Sequence, residues 1–338
     1  MKAVGFYKYL PIDDPESLLD VEVEQPQPTG RDLLVEVRAI AVNPVDTKRR
    51  AAGPRPATEL KILGWDAAGV VVATGPNAEM FKPGDKVYYA GSNQRPGANS
   101  QLHLVDERIV GSKPANLSFP EAAAMPLTTI TAWEAMFDRM GISKSGADAG
   151  KSLLILGGAG GVGSIAIQLA KKLARLKVIA SASRTDSAAW ARGLGADAIV
   201  DHTKPLPEQM SALGIPEANY ILCCSNTDPI FPALPRLAAP QARICSIVRT
   251  TKPVDLAALQ EKSLTFAWEG MFTRSTFQTP DMRAQHALLE DAGGLLDNGV
   301  LVTTLRENLG RICAQNLRLA HQRIEHGHVI GKIVLEGF

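Results

Sequence analysis

The sequence predicts an α/β protein of two domains, a β-rich domain that comes first and a doubly wound parallel sheet that follows it. Residues 1 to about 125 contain short β patterns separated by Pro and Gly. After residue 151, apolar strand-like runs alternate with helical patterns, which is typical of a doubly wound sheet. A chain of 338 residues is long enough for two such domains, each with its own core.

The β-rich part is predicted from four segments: DLLVEVRAIAV, GWDAAGVVVATG, FKPGDKVYYAG and SQLHLVDERIVGSKP. The first alternates and then becomes continuously apolar, like a strand that enters a core. Near residue 120 the pattern becomes helical. The segment SFPEAAAMPLTTITAWEAMFDRMG starts with Ser-Phe-Pro-Glu, which is typical of a helix cap and first turn.

The parallel sheet is predicted from five strands, SLLILGG, KVIASAS, AIVDH, YILCCS and ARICSIV, with a sixth at SLTFAWEGMF. Helices are expected at GSIAIQLAKKLAR, DSAAWARGLG and PIFPALPRLA. The last 60 residues should contain two helices and then a short strand, GKIVLEG. We expect that last strand to return to the first domain.

The composition excludes several classes of protein. A net charge of +1 without a long basic block gives no indication of a nucleic-acid or anionic-membrane partner. The sequence contains neither an apolar run long enough to span a bilayer nor a signal-peptide core. The adjacent Cys223 and Cys224 are expected at the end of a buried strand rather than in a metal site or disulfide. These features predict a cytoplasmic protein.

The stretch LLILGGAGGVGSIAIQLAKKLA, residues 153–174, places five glycines within seven residues, between a strand and a helix. Glycine permits a tight turn and a close approach of the backbone to a pyrophosphate, while the helix N-terminus offers N–H groups to the anion. No Gly-Lys-Ser/Thr follows, so this is not a Walker A loop. We predict a dinucleotide site made by Gly158, Gly160, Gly161, Val162 and Gly163.

The next strand bears on the choice between NAD(H) and NADP(H). NAD-binding units usually carry an acid about 20 residues further on, which binds the ribose 2′-OH. Here Ala182 stands at that position, and Arg184 follows, with Ser181 and Ser183 close by. A guanidinium can meet a 2′-phosphate with two hydrogen bonds. These residues therefore favour NADP(H).

Over nearly its whole length the chain resembles the medium-chain dehydrogenase/reductase superfamily, and within it the zinc-free quinone oxidoreductase branch, whose members include zinc-type alcohol dehydrogenase-like proteins. The resemblance rests on AVNPVDTKRR, GWDAAGVV, FKPGDKVY, EAAAMPLTTITAWEAM, GGAGGVGSIAIQLAK, GADAIVDH and GKIVLEGF. It implies a GroES-like catalytic domain, residues 1–126 completed by 276–338, and a Rossmann NADP(H)-binding domain, residues 127–275. It also implies a homodimer in which Rossmann edge strands pair, here through SLTFAWEGMF.

The resemblance departs from the zinc alcohol dehydrogenases at their metal ligands. Their catalytic Cys, His and Cys match Asn43, Trp65 and a position near Leu127, and their four-cysteine lobe falls on a segment without Cys. An amide, an indole and an alkyl chain do not make a zinc site. We expect no metal, and therefore reduction of an activated acceptor, a quinone or an enone, rather than alcohol oxidation.

The resemblance also assigns roles to individual residues. Asn43 is the first candidate for a polar contact with the acceptor, Thr131 matches a position against the nicotinamide, and Trp65 is a candidate wall of the acceptor pocket or a core residue. His202 matches a position near the adenosine phosphate, although an ordinary loop histidine is an equal alternative. Ser225 and Val248 follow strands at the ligand-binding edge of the sheet. Lys332 is expected to be structural.

Three functions remain open at this point. The first is an NADPH:quinone reductase and the second an NADPH-dependent enone or alkenal reductase. The third is a non-catalytic NADPH-binding protein. The glycine turn and Arg184 favour an enzyme.

Overall fold

The computed structural model describes residues 1–53 and 59–338. The chain folds into two compact units: Met1–Ile130 with Phe272–Phe338, and Thr131–Met271. The sequence placed these boundaries at residues 126 and 276. Within the described ranges, no helix is long and apolar enough to cross a membrane.

The strands, in chain order, are β1 (Lys2–Phe6), β2 (Leu19–Glu22), β3 (Asp32–Val42), β4 (Lys61–Ile62), β5 (Ala67–Thr74), β6 (Lys86–Tyr89), β7 (Leu102–Asp106), β8 (Val110–Ser112), β9 (Ser152–Leu156), β10 (Lys177–Ser181), β11 (Ala198–Val200), β12 (Ala218–Cys223), β13 (Ala238–Ser246), β14 (Thr265–Trp268), β15 (Leu305–Asn308) and β16 (Lys332–Glu336). The α-helices are α1 (Pro44–Ala51), α2 (Phe119–Ala123), α3 (Pro126–Trp133), α4 (Gly161–Lys172), α5 (Thr185–Gly193), α6 (Leu206–Ala212), α7 (Leu234–Leu237), α8 (Thr273–Phe277), α9 (Ala284–Asp297) and α10 (Ala314–His326).

The first unit is built around β3, which lies where DLLVEVRAIAV was predicted to be a strand. A seven-stranded sheet runs in the order β15-β16-β3-β5-β6-β8, with β7 also paired to β3, and β2-β1-β4 form a smaller sheet. The strand β16 pairs antiparallel with β3, with Ile333 opposite Val42. The expected return of GKIVLEG to the first domain is thus confirmed, and it brings Lys332 to the end of β3.

The second unit contains a six-stranded sheet in the order β11-β10-β9-β12-β13-β14, in which every pairing is parallel. Numbered within the unit, this order is 3-2-1-4-5-6, that of the Rossmann fold. The predicted doubly wound sheet is confirmed, including the sixth strand. The direction of winding reverses between β9 and β12, and ligands bind such sheets beyond the carboxyl ends of these two strands.

Prolines account for two differences from the predicted helices. The segment SFPEAAAMPLTTITAWEAMFDRMG is interrupted before Pro126, which lacks an N–H and begins a new helix, α3. Its expected start is confirmed, because Ser118 and Glu121 form a capping box. The predicted helix in PIFPALPRLA shrinks to a 3-10 turn and the one-turn helix α7, since Pro232 and Pro235 interrupt it. Helix α6 was not predicted.

The strand β14 lies at one edge of the parallel sheet, as the sequence predicted for SLTFAWEGMF. Trp268 is 47% exposed and packs edge-on against Phe266, with ring centroids 5.0 Å apart. An unpaired edge that exposes an aromatic side chain is a liability that pairing with a second copy removes. Homodimer formation through this edge stays a prediction.

Two buried glutamates face each other at the end of β14. Glu134 begins a π-helical turn, Glu134–Arg139, that follows α3, and Glu269 follows β14. The Nε of Arg139 donates to Glu269 Oε2 at 2.8 Å. Burial, together with repulsion by Glu134, raises the pKa of Glu269 to about 8. The folded protein therefore holds a proton here that the unfolded chain releases.

This pKa predicts how stability changes with pH. Because the folded pKa lies above the unfolded one, the contribution of Glu269 is lost as the pH rises to about 8, at up to about 1.4 kcal/mol per pH unit. Glu269→Gln cannot ionise, so its free energy of unfolding should rise relative to wild type between about pH 5 and about pH 8.5. Urea unfolding over this range measures the difference. Glu261→Gln, at an exposed position, is the control, and parallel curves for wild type and Glu269→Gln would contradict the prediction.

Candidate active site

The glycine turn after β9 is packed so tightly that side chains do not fit at two of its positions. Gly157 has φ +86°, and its N–H donates to Ser181 Oγ at 2.9 Å. A Cβ at Gly163 would stand 2.2 Å from Gly157 O, and a Cβ at Gly158 would stand 2.7 Å from Ala180 Cβ. These glycines let the turn pack against the start of α4 and against β10.

Gly160 is different, because the protein itself does not require a glycine there. A Cβ at Gly160 would have Gly157 O as its nearest neighbour, at 3.6 Å. Gly160 is the N-cap of α4, and the first turn of the helix contains Gly161, Val162 and Gly163. The N–H groups of a first turn have no partners within the helix. Space beside Gly160 together with these donors fits a bound pyrophosphate.

The carboxyl end of β10 carries the residues expected to select the cofactor. Ala182 is buried, and its N–H donates to Val200 O at 2.9 Å. Ser183 is exposed, whereas Ser181 is buried and accepts the Gly157 N–H, which places it behind the glycine turn. Arg184 is the N-cap residue of α5, and its Nε lies 3.3 Å from Asp186 Oδ1. An ion pair that is partly exposed in this way contributes little to stability.

The other residues expected to contact the cofactor lie at the same edge of the sheet. They differ in exposure and in the hydrogen bonds that they make. Ser225 is exposed after β12, and its Cβ would lie 3.4 Å from a Cβ at Gly157, so it borders the glycine turn. His202 is exposed just after β11. The carbonyl of Val248 accepts from Thr227 Oγ1 at 3.0 Å and from Ser246 Oγ at 3.1 Å. Thr227 and Ser246, which brace this loop, were not identified from the sequence.

In the first unit the ammonium of Lys332 is buried among polar groups. Its Nζ donates to Asp66 Oδ2 at 2.9 Å, to the Asn43 side-chain oxygen, and to Val42 O at 3.3 Å. Asn43 Nδ2 in turn donates to Asp66 Oδ2 at 2.9 Å. Asn43 is 1% exposed, and both ends of its amide are engaged by the protein. Its direct contact with an acceptor therefore stays a prediction, for which the amide offers little free bonding capacity.

A second buried carboxylate, Asp46, holds the backbone next to this cluster. It accepts from Asn43 N at 2.7 Å and from Gly64 N at 3.1 Å, and burial raises its pKa to about 7. Burial also raises the pKa of Asp66, an effect that the Lys332 ammonium opposes. The sequence did not identify Lys332 as the partner of Asp66.

The positions that match zinc ligands do not fit a zinc ion. The Asn43 side-chain oxygen faces an ammonium, the Trp65 indole N–H donates to Ser92 O at 3.1 Å, and Leu127 offers only an alkyl side chain. None of these presents a free N, O or S donor with the geometry of a zinc ligand. Across residues 1–53 and 59–338, no group of three or more His, Cys, Asp or Glu side chains is placed to hold a metal.

Trp65 and Thr131 are both buried. The Trp65 ring packs edge-on against Phe272, with centroids 5.9 Å apart. A cavity of about 280 Å³ lies in the first unit, and its lining includes Ser92, Arg95 and Thr276.

The strand order and the glycine turn at its switch point define a dinucleotide-binding unit of the kind found in oxidoreductases. Two family models match the chain, the alcohol dehydrogenase GroES-like domain over residues 29–129 and zinc-binding dehydrogenase over residues 161–288. The chain belongs to the medium-chain dehydrogenase/reductase superfamily and is an oxidoreductase of that superfamily, with a GroES-like domain and a Rossmann domain.

Relatives cover the whole chain. A zinc-type alcohol dehydrogenase-like protein of Staphylococcus aureus (strain MSSA476) is 42% identical over 336 residues, 99% of each chain. A crystal structure from Rhizobium etli CFN 42, described as a zinc-dependent alcohol dehydrogenase protein, has a TM-score of 0.95 at 49% identity and covers 100% of this chain and 98% of that one.

Two reductases are also similar. A 2-methylene-furan-3-one reductase of Solanum lycopersicum is 40% identical over 214 residues, 60% of this chain and 53% of its own. A quinone oxidoreductase structure from Pseudomonas syringae pv. Tomato DC3000 has a TM-score of 0.83 at 25% identity and covers 99% of each chain.

The two kinds of glycine predict two different mutant phenotypes. Gly163→Ala places a methyl group against Gly157 O and should destabilise the protein by about 1–3 kcal/mol, as overpacking does. Gly160→Ala should fold with near wild-type stability and bind the dinucleotide more weakly, since its methyl group enters the space left for the ligand. Thermal unfolding without ligand and calorimetric titration with NADPH separate the two effects. Unchanged binding by a well-folded Gly160→Ala would contradict the placement of the pyrophosphate.

Proposed function

We propose that this protein transfers a hydride from NADPH to a quinone without a metal. The observation that carries the proposal is the set of side chains at the positions matched to zinc ligands, where Asn43 bonds to the Lys332 ammonium and Trp65 and Leu127 offer no ligand. Alcohol oxidation requires removal of a proton from a hydroxyl group of high pKa, which zinc promotes in the related dehydrogenases. A quinone can accept a hydride without prior removal of a proton, and water then supplies the proton that completes the reduction.

The proposed reaction requires residues that bind NADPH and residues that surround the acceptor. Bound NADPH supplies the hydride. The first turn of α4, from Gly161 to Gly163, binds the pyrophosphate, and Arg184 binds the 2′-phosphate. Thr131 lies against the nicotinamide, and Trp65 limits the acceptor pocket. Negative charge develops on the acceptor oxygen during the transfer, and a hydrogen-bond donor placed there lowers the barrier.

Reduction of an enone is the second candidate. Quinones and enones are both conjugated carbonyl compounds, so one hydride-transfer geometry serves both. The similarity to the 2-methylene-furan-3-one reductase, which is 40% identical over 60% of this chain, favours this candidate. A non-catalytic NADPH-binding protein is the remaining alternative, and turnover distinguishes it from both enzymes.

The cofactor preference is the first test. A charge-assisted hydrogen bond contributes about 1.5–3 kcal/mol, so NADPH should bind about 10- to 150-fold more tightly than NADH. Arg184→Ala should remove most of this difference by weakening NADPH binding and should leave NADH binding nearly unchanged. Calorimetric titration of both cofactors measures it. Arg192→Ala, exposed in the same helix, is the matched control, and equal affinities in the wild type would refute the assignment.

The acceptor is the second test. NADPH oxidation should occur with phenanthrenequinone, with nonenal or with both, and oxidation of ethanol or benzyl alcohol by NADP⁺ should be negligible. Dialysis against a chelator should leave the rate unchanged, since the proposed site contains no metal. The ratio of kcat/KM for the two acceptors decides between quinone and enone. Robust alcohol oxidation that is lost with a chelated zinc ion would overturn the proposal, and tight NADPH binding with no turnover would favour the non-catalytic alternative.

A further inference from the structure

Four segments that are distant in sequence are joined by hydrogen bonds around the Lys332–Asp66 ion pair. They are the end of β3 with the start of α1, the Gly64–Asp66 turn, the first turn of α3, and the start of β16. We propose that Lys332 and Asp66 are positioning residues for hydride transfer, and that their buried ion pair fixes the Asn43 amide and the first turn of the helix that carries Thr131. The inference rests on the proposed function.

Lys332 is suited to positioning and not to donating a proton to an acceptor. An ammonium has three N–H donors. Three oxygens of the protein, from Asn43, Asp66 and Val42, receive hydrogen bonds from it. Its side chain is 3% exposed, so water does not compete for these bonds. The charge therefore acts on its immediate neighbours.

Asp66 connects the ammonium to α3. Its Oδ1 accepts the Leu127 N–H at 2.8 Å, and its Oδ2 accepts from Lys332 and from Asn43 Nδ2, each at 2.9 Å. Leu127 lies in the first turn of α3, where a carboxylate interacts favourably with the helix dipole. Thr131 lies four residues further along, on the same face of the helix as Leu127. Asp66 thus holds the start of the helix that places Thr131.

The pair also leaves the Asn43 amide with one orientation. The amide oxygen faces the ammonium of Lys332, and the amide nitrogen faces the carboxylate of Asp66. Exchanging the two ends would set donor against donor and acceptor against acceptor inside a buried site, where an unmade hydrogen bond is costly. A residue that only filled space would not impose such an orientation.

Charge balance explains why a cation is needed here. Asp46 and Asp66 are both buried, and each is close enough to Lys332 for its charge to lower that carboxyl's pKa against the effect of burial. Removing the ammonium leaves a buried carboxylate without its partner, which is strongly destabilising. Removing the ammonium and the Asp66 charge together avoids that cost. Comparing the single and double variants therefore distinguishes an effect on positioning from an effect on stability.

The experiment compares Lys332→Met, Asp66→Asn and the double variant in the full-length protein. Lys8→Met is the control, because it breaks an exposed lysine–glutamate pair in the same unit. In Lys332→Met, kcat should fall about 10- to 100-fold while KM for NADPH changes less than about threefold, as expected when reacting groups are misplaced. The double variant should recover most of the lost stability in urea. Its kcat should stay low, because no cation orients Asn43.

Three outcomes overturn the inference. If kcat recovers in the double variant together with stability, or if folded Lys332→Met has the wild-type kcat, the pair is merely structural. Hydrogen exchange at the Leu127 amide provides a readout that does not require turnover. It should accelerate in Lys332→Met and not in Lys8→Met, and no acceleration would overturn the inference. Failure of the wild type to reduce either acceptor refutes the proposed function alone, since the exchange result still tests the positioning.

Discussion

A buried ammonium must be neutralised, and the arrangement of the first unit around Lys332 meets this requirement. Desolvating an ammonium and a carboxylate costs several kcal/mol for each ion, and only close contact with further hydrogen bonds offsets it. Asp66 supplies that contact from one segment, and Asn43 and the carbonyl of Val42 supply it from another. The cluster is therefore a weak source of stability and a strong constraint on geometry, because small displacements lose the compensation.

In the second unit, close packing of the backbone and not a buried charge holds the glycine turn in place. Gly158 and Gly163 bring the turn against β10 and α4 at distances that exclude a Cβ. Gly160 leaves room that the protein does not fill. Rigid backbone next to open space at a helix N-terminus is what an anionic ligand requires. In the first unit a buried ammonium fixes the positions of its neighbours, whereas in the second unit the packed backbone leaves space for a charged ligand.

The fold was predictable where its signals are local. Alternation identified β3, the glycine turn identified the β9–α4 connection, and Ser118 with Glu121 marked the start of a helix. The break before Pro126 was missed because the apolar pattern continues across it. The partners of Asn43 were not predictable, since Lys332 follows it by 289 residues and nothing local indicates the contact. Ser181 shows the same limit, because its hydroxyl supports the turn from an adjacent strand.

The late position of Lys332 has a consequence for how the protein folds. The second unit is one continuous segment, Thr131–Met271, so its sheet can form as soon as that segment is complete. The first unit is interrupted by this segment, and its carboxylates at Asp46 and Asp66 receive their counter-charge only when β16 arrives. Until then, β3 has an open side where β16 will pair. During synthesis, the sheet of the second unit can therefore form before the first unit is complete, because the first unit requires β16.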